Sequence, residues 1–209
     1  KEYNVKLIEV LTGFKFIGEQ IGFLEDKGEE DRYVFGFEES YGYLAGSYVR
    51  DKDAVVASML ICEMAAFYRT KGISLIQARE NMYKKYGVYV HTQSSFVCEG
   101  ATGMERMKEI MSGLRTNTPK EIGGLKVTRF EDYVASTSVD IETGAKTMLT
   151  LPKSDVLTFK LTDGASVIIR PSGTEPKIKA YYTTTGATRE EAAALEKTIS
   201  ADFAKILGF

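Results

Sequence analysis

The sequence has few of the residues that build disulfide scaffolds, zinc sites or membrane spans. Its 209 residues include two cysteines, one histidine and no tryptophan. Two cysteines cannot form a disulfide framework, and together with one histidine they fall short of the four ligands of a classical zinc site. No apolar run approaches the roughly 18 residues that a membrane span needs. The first residues also lack a signal peptide's apolar stretch, so we expect a reduced, cytoplasmic protein.

A large excess of charge of either sign is also missing. The chain carries 27 Lys and Arg against 29 Asp and Glu, a net charge of −2. This balance argues against a nucleic-acid footprint over the whole surface, although it leaves room for a local basic site. Hydrophobic residues make up 44% of the chain, which is enough for a real core and excludes wholesale disorder.

The start of the chain and its length indicate a part of a larger protein with two domains. The sequence has no initiator Met, and a strand-like run over residues 5–10 follows almost at once. A piece cut from a longer protein begins in this way, and a proteolytically matured chain would look similar. The length suits two domains, and we place the boundary near residue 88, giving domains 1–87 and 88–209.

Strands and helices alternate in the first domain, which predicts an α/β unit with a partly parallel sheet. Helical spacing begins at Phe14, a short strand covers 33–37, and Asp53 caps an apolar helix that we expect to be buried on more than one side. Ser74 starts a further helix to about residue 86.

The second domain reads as α+β. Strands are predicted over 88–97, 156–162, 165–169 and 181–185, and a short helix over 104–111 is followed by a connection to residue 124. Asp163-Gly164 indicates a tight hairpin turn. Thr188 with Glu191 forms a capping box for the last helix.

The most polar connection in the second domain runs from Arg170 to Lys179 and suits a phosphate. Arg170 offers a planar fork of donors, Ser172 and Thr174 offer hydroxyls, and Lys179 adds a point charge. Gly173 would let the backbone curl so that successive N–H groups converge on one anion. A solvated turn with a stray arginine is the alternative, and the spacing alone leaves it open.

A second polar loop follows the strand of residues 33–37, at a place where α/β sheets bind ligands. Glu38, Glu39 and Ser40 could accept from and donate to the hydroxyls of a sugar. A metal site is a weaker option because no third ligand is evident, and an acidic surface turn is also open. Arg50 and Lys52, just downstream, could be solvated charges.

Other reactive residues favour structural roles. His91 lies in a strand with no acid or nucleophile near it in sequence, and Asp140 with Glu142 precedes a glycine turn. Cys62 falls in the apolar helix and is expected to act as a small buried hydrophobe, and Cys98 is expected to be structural too.

Together these motifs resemble the α-D-phosphohexomutase family of phosphoglucomutases and phosphomannomutases. The stretch TGFKFIG (12–18) is similar to the family's TGWK-type turn, FEESYG (37–42) with RDKD (50–53) to its sugar-recognition loop, and RPSGTEPKIK (170–179) to its phosphate loop. The order is the family's own, and the resemblance covers essentially the whole chain.

The resemblance implies two of the family's four domains. The first is a partial α/β third domain, truncated at its start, with a mixed sheet and helices. The second is an α+β fourth domain similar to TATA-binding protein. The family's catalytic phosphoserine loop and its Mg²⁺ loop lie in domains 1 and 2, and no TASHN-like or DGDxDR-like stretch occurs here. The resemblance therefore implies no catalytic or metal-ligating residue in this chain, with Mg²⁺ bound by the full-length enzyme. Domains 1 and 2 of the same polypeptide are the implied partners, without nucleic acid or membrane.

By resemblance, the full enzyme interconverts hexose 1-phosphate and hexose 6-phosphate through phosphoserine and a sugar bisphosphate, with glucose 1,6-bisphosphate as intermediate. The chain alone is expected to be inactive. Glu39 and Arg50 are conceivable neighbours of the sugar contacts. The implied sugar contacts are Thr12, Glu38, Ser40 and Lys52, and the implied phosphate contacts are Arg170, Ser172, Gly173, Thr174 and Lys179.

The motifs indicate the family more specifically than they indicate the sugar substrate. Many phosphomannomutases carry Gly-His after the serine of the sugar loop, whereas this chain has Tyr41-Gly42-Tyr43, which favours glucose and leaves pentose phosphates open. A phosphopentomutase or a sugar-bisphosphate synthase would use the same residues. A non-catalytic module that binds phosphosugars or phosphoproteins is the alternative outside enzymology.

Overall fold

The computed structural model describes residues 2–38, 41–173 and 175–209. The chain divides into two compact units, Lys1–Asn81 and Met82–Phe209. The division falls inside a helix, and the boundary near residue 88 stays a prediction. The mixed α/β fold class is confirmed, with a large antiparallel sheet in the second unit.

The first unit consists of helices around a short hairpin. Strands β1 and β2 pair antiparallel, with Phe37 opposite Tyr43. One face of the first helix packs against β2, and Phe14, Ile17, Ile21 and Leu44 form the buried cluster. The elements are α1 (Phe14–Glu25), β1 (Phe35–Phe37), β2 (Tyr43–Ala45), α2 (Ala54–Thr70) and α3 (Leu75–Tyr86), which continues into the second unit.

Two predictions for this unit were wrong. Residues 5–10 form no strand, and Leu7 is largely exposed. A strand exists only through pairing, and within the described residues nothing pairs with this run. The partly parallel sheet is also not seen, because β1 and β2 pair antiparallel and are the strands described for this unit.

Helix α2 begins as predicted but is not buried. The Asp53 carboxylate accepts from the amides of Val55 (2.8 Å) and Val56 (3.1 Å), which confirms the N-cap. None of the helix residues is buried, however, with Val55 81% and Phe67 55% exposed, and Cys62 is exposed as well. An apolar sequence shows that a helix could be buried, but burial also requires another element to pack against it.

The second unit is an antiparallel sheet with helices against it. Its strand order is β3-β10-β9-β8-β5-β6-β7, with β4 paired to β5. Helices α4 and α5 both pack against β10. The elements are β3 (Val88–Val97), α4 (Gly103–Thr116), β4 (Glu121–Ile122), β5 (Leu125–Asp132), β6 (Thr137–Asp140), β7 (Lys146–Met148), β8 (Leu157–Leu161), β9 (Ser166–Pro171), β10 (Lys177–Gly186) and α5 (Arg189–Ile206).

The core of this unit lies between the helices and one face of the sheet. Phe203 of α5 meets Phe159 and Tyr182 edge-on, with ring centroids 5.8 and 6.3 Å apart. Along β10, Ile178, Ala180, Tyr182 and Thr184 are buried, whereas the alternate residues are only half-buried. Because side chains alternate across a strand, the latter set lies on the face away from the helices.

Local signals in the second unit were confirmed. Asp163 (φ 57°) and Gly164 (φ 73°) both adopt the left-handed conformation, and the Ala165 amide donates to the Thr162 carbonyl across them. The predicted hairpin of β8 and β9 is confirmed, but its loop has three residues instead of two, because the Leu161 amide donates to the Ala165 carbonyl. Thr188 and Glu191 form the capping box of α5. Helix α4 runs five residues past the predicted end at residue 111, because Leu114 is buried in the core.

None of the helices in the described residues is long and apolar enough to cross a membrane.

Candidate functional site

The loop between β9 and β10 borders a cavity of about 190 Å³. The strands that carry it are in tight register, with Lys179 opposite Arg170 and Ile178 opposite Pro171. One water molecule needs about 10–15 Å³ of such cavity space, so the cavity has room for a small polyatomic ligand. Its lining residues are Arg170, Pro171, Ser172, Gly173, Glu175, Lys177 and Lys179.

The cavity is cationic. Arg170, Lys177 and Lys179 line it together with one carboxylate, Glu175, whose Oε2 lies 2.6 Å from Lys177 Nζ. The hydrogen bond from Lys177 and then the charges of Lys177 and Lys179 hold the pKa of Glu175 below its ordinary value. Arg170 and Lys179 face each other across the strand pair, an arrangement that is destabilising for like charges unless an anion lies between them.

The loop backbone is partly engaged in its own hydrogen bonds. The Ser172 amide donates to the Lys177 carbonyl and the Lys177 amide donates to the Glu175 carbonyl, each at 2.7 Å. Gly173 is not in the left-handed region, and a Cβ there would meet open space. The predicted convergence of successive N–H groups on one anion stays a prediction, because the loop continues through residue 174. Thr174 lies outside the described residues.

The first unit presents a second polar group, built around Glu38. Its side chain is only 12% exposed, and Lys52 Nζ lies 3.6 Å from Oε1. A Cβ on Gly42 would lie 2.7 Å from the Glu38 carboxylate and would collide with the Lys52 side chain. An alanine at this position would require these two side chains to shift, so glycine leaves room for the ion pair.

Lys52 is held in place by three neighbours. Its Nζ lies 3.4 Å from Asp51 Oδ1 and 5.5 Å from the Phe14 ring centroid, in addition to the contact with Glu38. The hydrogen bond to Asp51 and the charge of Glu38 raise the pKa of Lys52, so the ammonium stays charged. A carboxylate beside an ammonium offers acceptors and donors for sugar hydroxyls.

The remaining residues of the predicted sugar site are less well assembled. Thr12 is exposed two residues before α1. Arg50 pairs with Glu25 of α1 and donates to the Ser47 carbonyl, so its guanidinium ties the loop to that helix. Glu39 and Ser40 lie outside the described residues.

The other reactive residues have local structural explanations. His91 is exposed, stacks on Tyr89 and lies 3.1 Å from the Thr183 hydroxyl. Asp140 accepts from the amide and hydroxyl of Thr143 in the turn between β6 and β7. No three His, Cys, Asp or Glu residues among those described could hold a metal ion together.

Sequence reasoning missed two contacts in the cationic cavity. One is the Glu175–Lys177 ion pair, and the other is the contact of Arg170 with the hydroxyl of Tyr181. The contact between Arg170 and Tyr181 had a signal in the sequence. Side chains alternate between the two faces of a strand, and this places Lys177, Lys179 and Tyr181 on one face of β10.

Comparison with protein families assigns both parts of the chain to one group. Residues 1–86 match the model for phosphoglucomutase/phosphomannomutase, alpha/beta/alpha domain III, and residues 115–201 match the model for the phosphoglucomutase/phosphomannomutase C-terminal domain. A phosphoglucomutase of Staphylococcus aureus strain bovine RF122 / ET3-1 is 42% identical over 178 residues, and one of strain MSSA476 is 41% identical. Each alignment covers 85% of this chain and 32% of the relative, so the chain spans about a third of their length.

A solved structure has the same fold. The open form of the exocytosis-sensitive phosphoprotein pp63/parafusin, a phosphoglucomutase from Paramecium, superposes with a TM-score of 0.67 at 20% identity. The superposition covers 99% of this chain and 34% of that protein.

Proposed function

Because the chain belongs to the phosphoglucomutase/phosphomannomutase family and matches its third and C-terminal domains, we propose that it is the substrate-binding part of a longer phosphoglucomutase. That enzyme interconverts hexose 1-phosphate and hexose 6-phosphate through a phosphoserine and a sugar bisphosphate. Glucose is the proposed hexose, as in the relatives named phosphoglucomutase. The sugar-phosphate substrates and domains 1 and 2 of the same polypeptide are the proposed partners.

The reaction explains why such an enzyme needs an anchor remote from its nucleophile. A bisphosphate that returns its other phosphate must bind in two orientations, so one site must hold whichever phosphate is not reacting. We assign that anchor to the β9–β10 loop, with Arg170, Ser172, Gly173, Thr174 and Lys179 as contacts. An anchor that binds equally in both orientations positions the reacting phosphate without taking part in the chemistry.

The observation that carries the proposal is the charge of the β9–β10 cavity. Three cationic side chains and one carboxylate line about 190 Å³, and two of the cations lie directly across a strand pair. An arginine fork and a lysine are the usual partners of a phosphate dianion. A phosphate would remove the repulsion that the register imposes, so the arrangement is suited to an anion.

The sugar ring is assigned to the first unit. Glu38, held by Lys52, presents a carboxylate to hydroxyls, and we assign Thr12, Ser40 and Lys52 to the same pocket. A carboxylate accepts from two neighbouring hydroxyls, which suits a ring that must be recognised in both orientations.

Phosphoryl transfer is assigned to residues beyond this chain. In our proposal the phosphoserine and the Mg²⁺ ligands belong to domains 1 and 2, and Mg²⁺ would supply charge stabilisation there. We therefore expect the 209-residue chain alone to have no mutase activity, with or without glucose 1,6-bisphosphate.

Replacement of Arg170 by alanine in the product of the complete gene tests the proposal. Loss of a charge-assisted phosphate contact costs about 1.5–3 kcal/mol, or about 10- to 150-fold in kcat/KM. The control is Arg189→Ala, which removes the same charge from an exposed position at the start of α5. We expect the control to retain the wild-type value. A kcat/KM for Arg170→Ala equal to that of Arg189→Ala would contradict the proposal.

Activity assays of the unmodified complete gene product with different substrates separate the competing functions. A complete gene product that binds glucose 6-phosphate but does not isomerise it would identify a phosphosugar-binding module. Conversion of ribose phosphates in preference to glucose phosphates would identify a phosphopentomutase. Net accumulation of the bisphosphate from a separate phosphoryl donor would identify a sugar-bisphosphate synthase.

A further inference from the structure

We infer that Tyr181 is a positioning residue that holds the Arg170 guanidinium in the orientation that binds phosphate. The inference rests on the proposed function, because it assigns a role within the same anion site. Tyr181 lies on β10 two residues after Lys179, and both belong to the half-buried set that faces away from the helices.

The contact between the two side chains has a defined direction. The Tyr181 hydroxyl oxygen lies 3.2 Å from Arg170 Nε and 3.2 Å from Nη2. A guanidinium has donors only, so the tyrosine oxygen must accept both hydrogen bonds. The guanidinium carbon also lies 5.9 Å from the centroid of the Tyr181 ring, within the range of a cation–π contact.

Strand register explains why Arg170 needs this partner. Its direct neighbour on β10 is Lys179, a like charge that would push the guanidinium away. Tyr181 is one of the two diagonal neighbours of Arg170 on this face, the other being the cation Lys177, and diagonal neighbours are within reach of aromatic and long side chains. Through its hydrogen bonds to Nε and Nη2, the tyrosine therefore keeps the guanidinium beside Lys179.

The geometry leaves donors for the ligand. Arginine has five N–H groups, and the tyrosine oxygen takes one on Nε and one on Nη2. Within residues 2–38, 41–173 and 175–209 the guanidinium has no further hydrogen-bond partner, so both hydrogens of Nη1 and the second of Nη2 are available to phosphate oxygens. A long side chain that is already held loses less conformational entropy when the anion binds, so the contact increases phosphate affinity without touching the phosphate.

The test compares Tyr181→Phe with Tyr89→Phe in the 209-residue chain. Both substitutions remove one phenolic oxygen from the same sheet, but Tyr89 lies on β3, stacked on His91. Inorganic phosphate is titrated at low ionic strength, and the Nε–H resonance of Arg170 is followed by NMR. For Tyr181→Phe we expect about three- to tenfold weaker phosphate binding and a shifted, faster-exchanging Arg170 Nε–H resonance. Unfolding midpoints and the Tyr89→Phe data should match the wild type.

Each outcome decides a different claim. Phosphate affinity and an Arg170 Nε–H resonance that are unchanged in Tyr181→Phe would overturn the role of Tyr181. A parallel titration of Arg170→Ala tests the site itself. If Arg170→Ala loses binding while Tyr181→Phe does not, only the positioning role is wrong. If Arg170→Ala binds phosphate as well as the wild type, the proposed anion site is wrong as well.

Discussion

The two units of this chain differ in how much of their hydrophobic surface they bury. In the second unit, nineteen buried residues from strands β4, β5, β8, β9 and β10, helices α4 and α5 and the connecting segments form one cluster. In the first unit the cluster is Phe14, Ile17, Ile21 and Leu44, and the apolar helix α2 remains largely exposed. The comparison shows that the loop assigned to phosphate is carried by strands with a complete core behind them.

The candidate sugar loop is held in a different way. Its residue Glu38 lies beside the Lys52 ammonium, and Gly42 leaves room for this ion pair. Backbone contacts add the Glu38 amide donating to the Gly42 carbonyl at 3.0 Å. The strands that carry the phosphate loop are thus held by long-range sheet packing, whereas Glu38 is held by the loop's own contacts and by Lys52.

The largest expected effect contrasts the two hydrophobic surfaces. Phe203→Ala empties a fully buried site in the second unit and should lower the free energy of unfolding by about 3–5 kcal/mol. Met59→Ala on α2 removes an exposed side chain and should change it by less than about 0.5 kcal/mol. Urea unfolding followed by circular dichroism measures both. Equal losses would show that α2 is covered in solution.

The next effect contrasts two arginines. Arg115 bridges Asp132, 3.1 Å away and nearly buried, and Asp155, whereas the Arg50–Glu25 pair is considerably more exposed. Arg115→Met leaves Asp132 with two backbone amides as donors and should cost about 1–3 kcal/mol. Arg50→Met should cost about 0–1 kcal/mol. The reverse order in thermal unfolding would mean that the first unit depends on its surface charges.

A smaller effect concerns helix caps. Thr188→Ala removes the side chain that accepts from the Glu191 amide at the start of α5, and should cost about 1 kcal/mol. Thr198→Ala, within the same helix, is the matched control because its hydroxyl donates to a carbonyl that the helix already bonds. If both variants lose the same stability, the capping box does not contribute to the second unit.

The smallest effect lies in the phosphate loop itself. Glu175→Gln removes the carboxylate that pairs with Lys177, and should raise phosphate affinity about two- to fivefold at low ionic strength. Because the hydrogen bond from Lys177 lowers the pKa of Glu175, the carboxylate stays charged above that lowered pKa and competes with the anion there. The advantage of the variant should fade as the pH falls through the lowered pKa. Calorimetric titration with phosphate at several pH values measures this, and an advantage that grows on acidification would contradict it.

Sequence patterns predicted those features whose causes are local. The caps at Asp53 and Thr188 and the turn at Asp163-Gly164 each depend on a few consecutive residues, and all three were confirmed. The order of motifs along the chain also indicated the family, which the family comparison confirmed. These signals require no knowledge of which elements pack together.

Features that depend on distant partners could not be predicted in the same way. A strand over residues 5–10 needed a neighbour, and burial of α2 needed something to cover it. The contact of Tyr181 with Arg170 follows from the register of β9 against β10, which the sequence does not state. The predicted roles of Ser40 and Thr174 stay predictions because these residues lie outside the described part of the chain.

The most direct test of the account is an amide NMR titration of the chain with inorganic phosphate and then glucose 6-phosphate at low ionic strength. We predict that both ligands shift the resonances of residues 170–179, and that the sugar phosphate alone also shifts those of residues 38–40. A well-dispersed spectrum in which residues 170–179 move for neither ligand would contradict the assignment of the β9–β10 loop as the phosphate anchor.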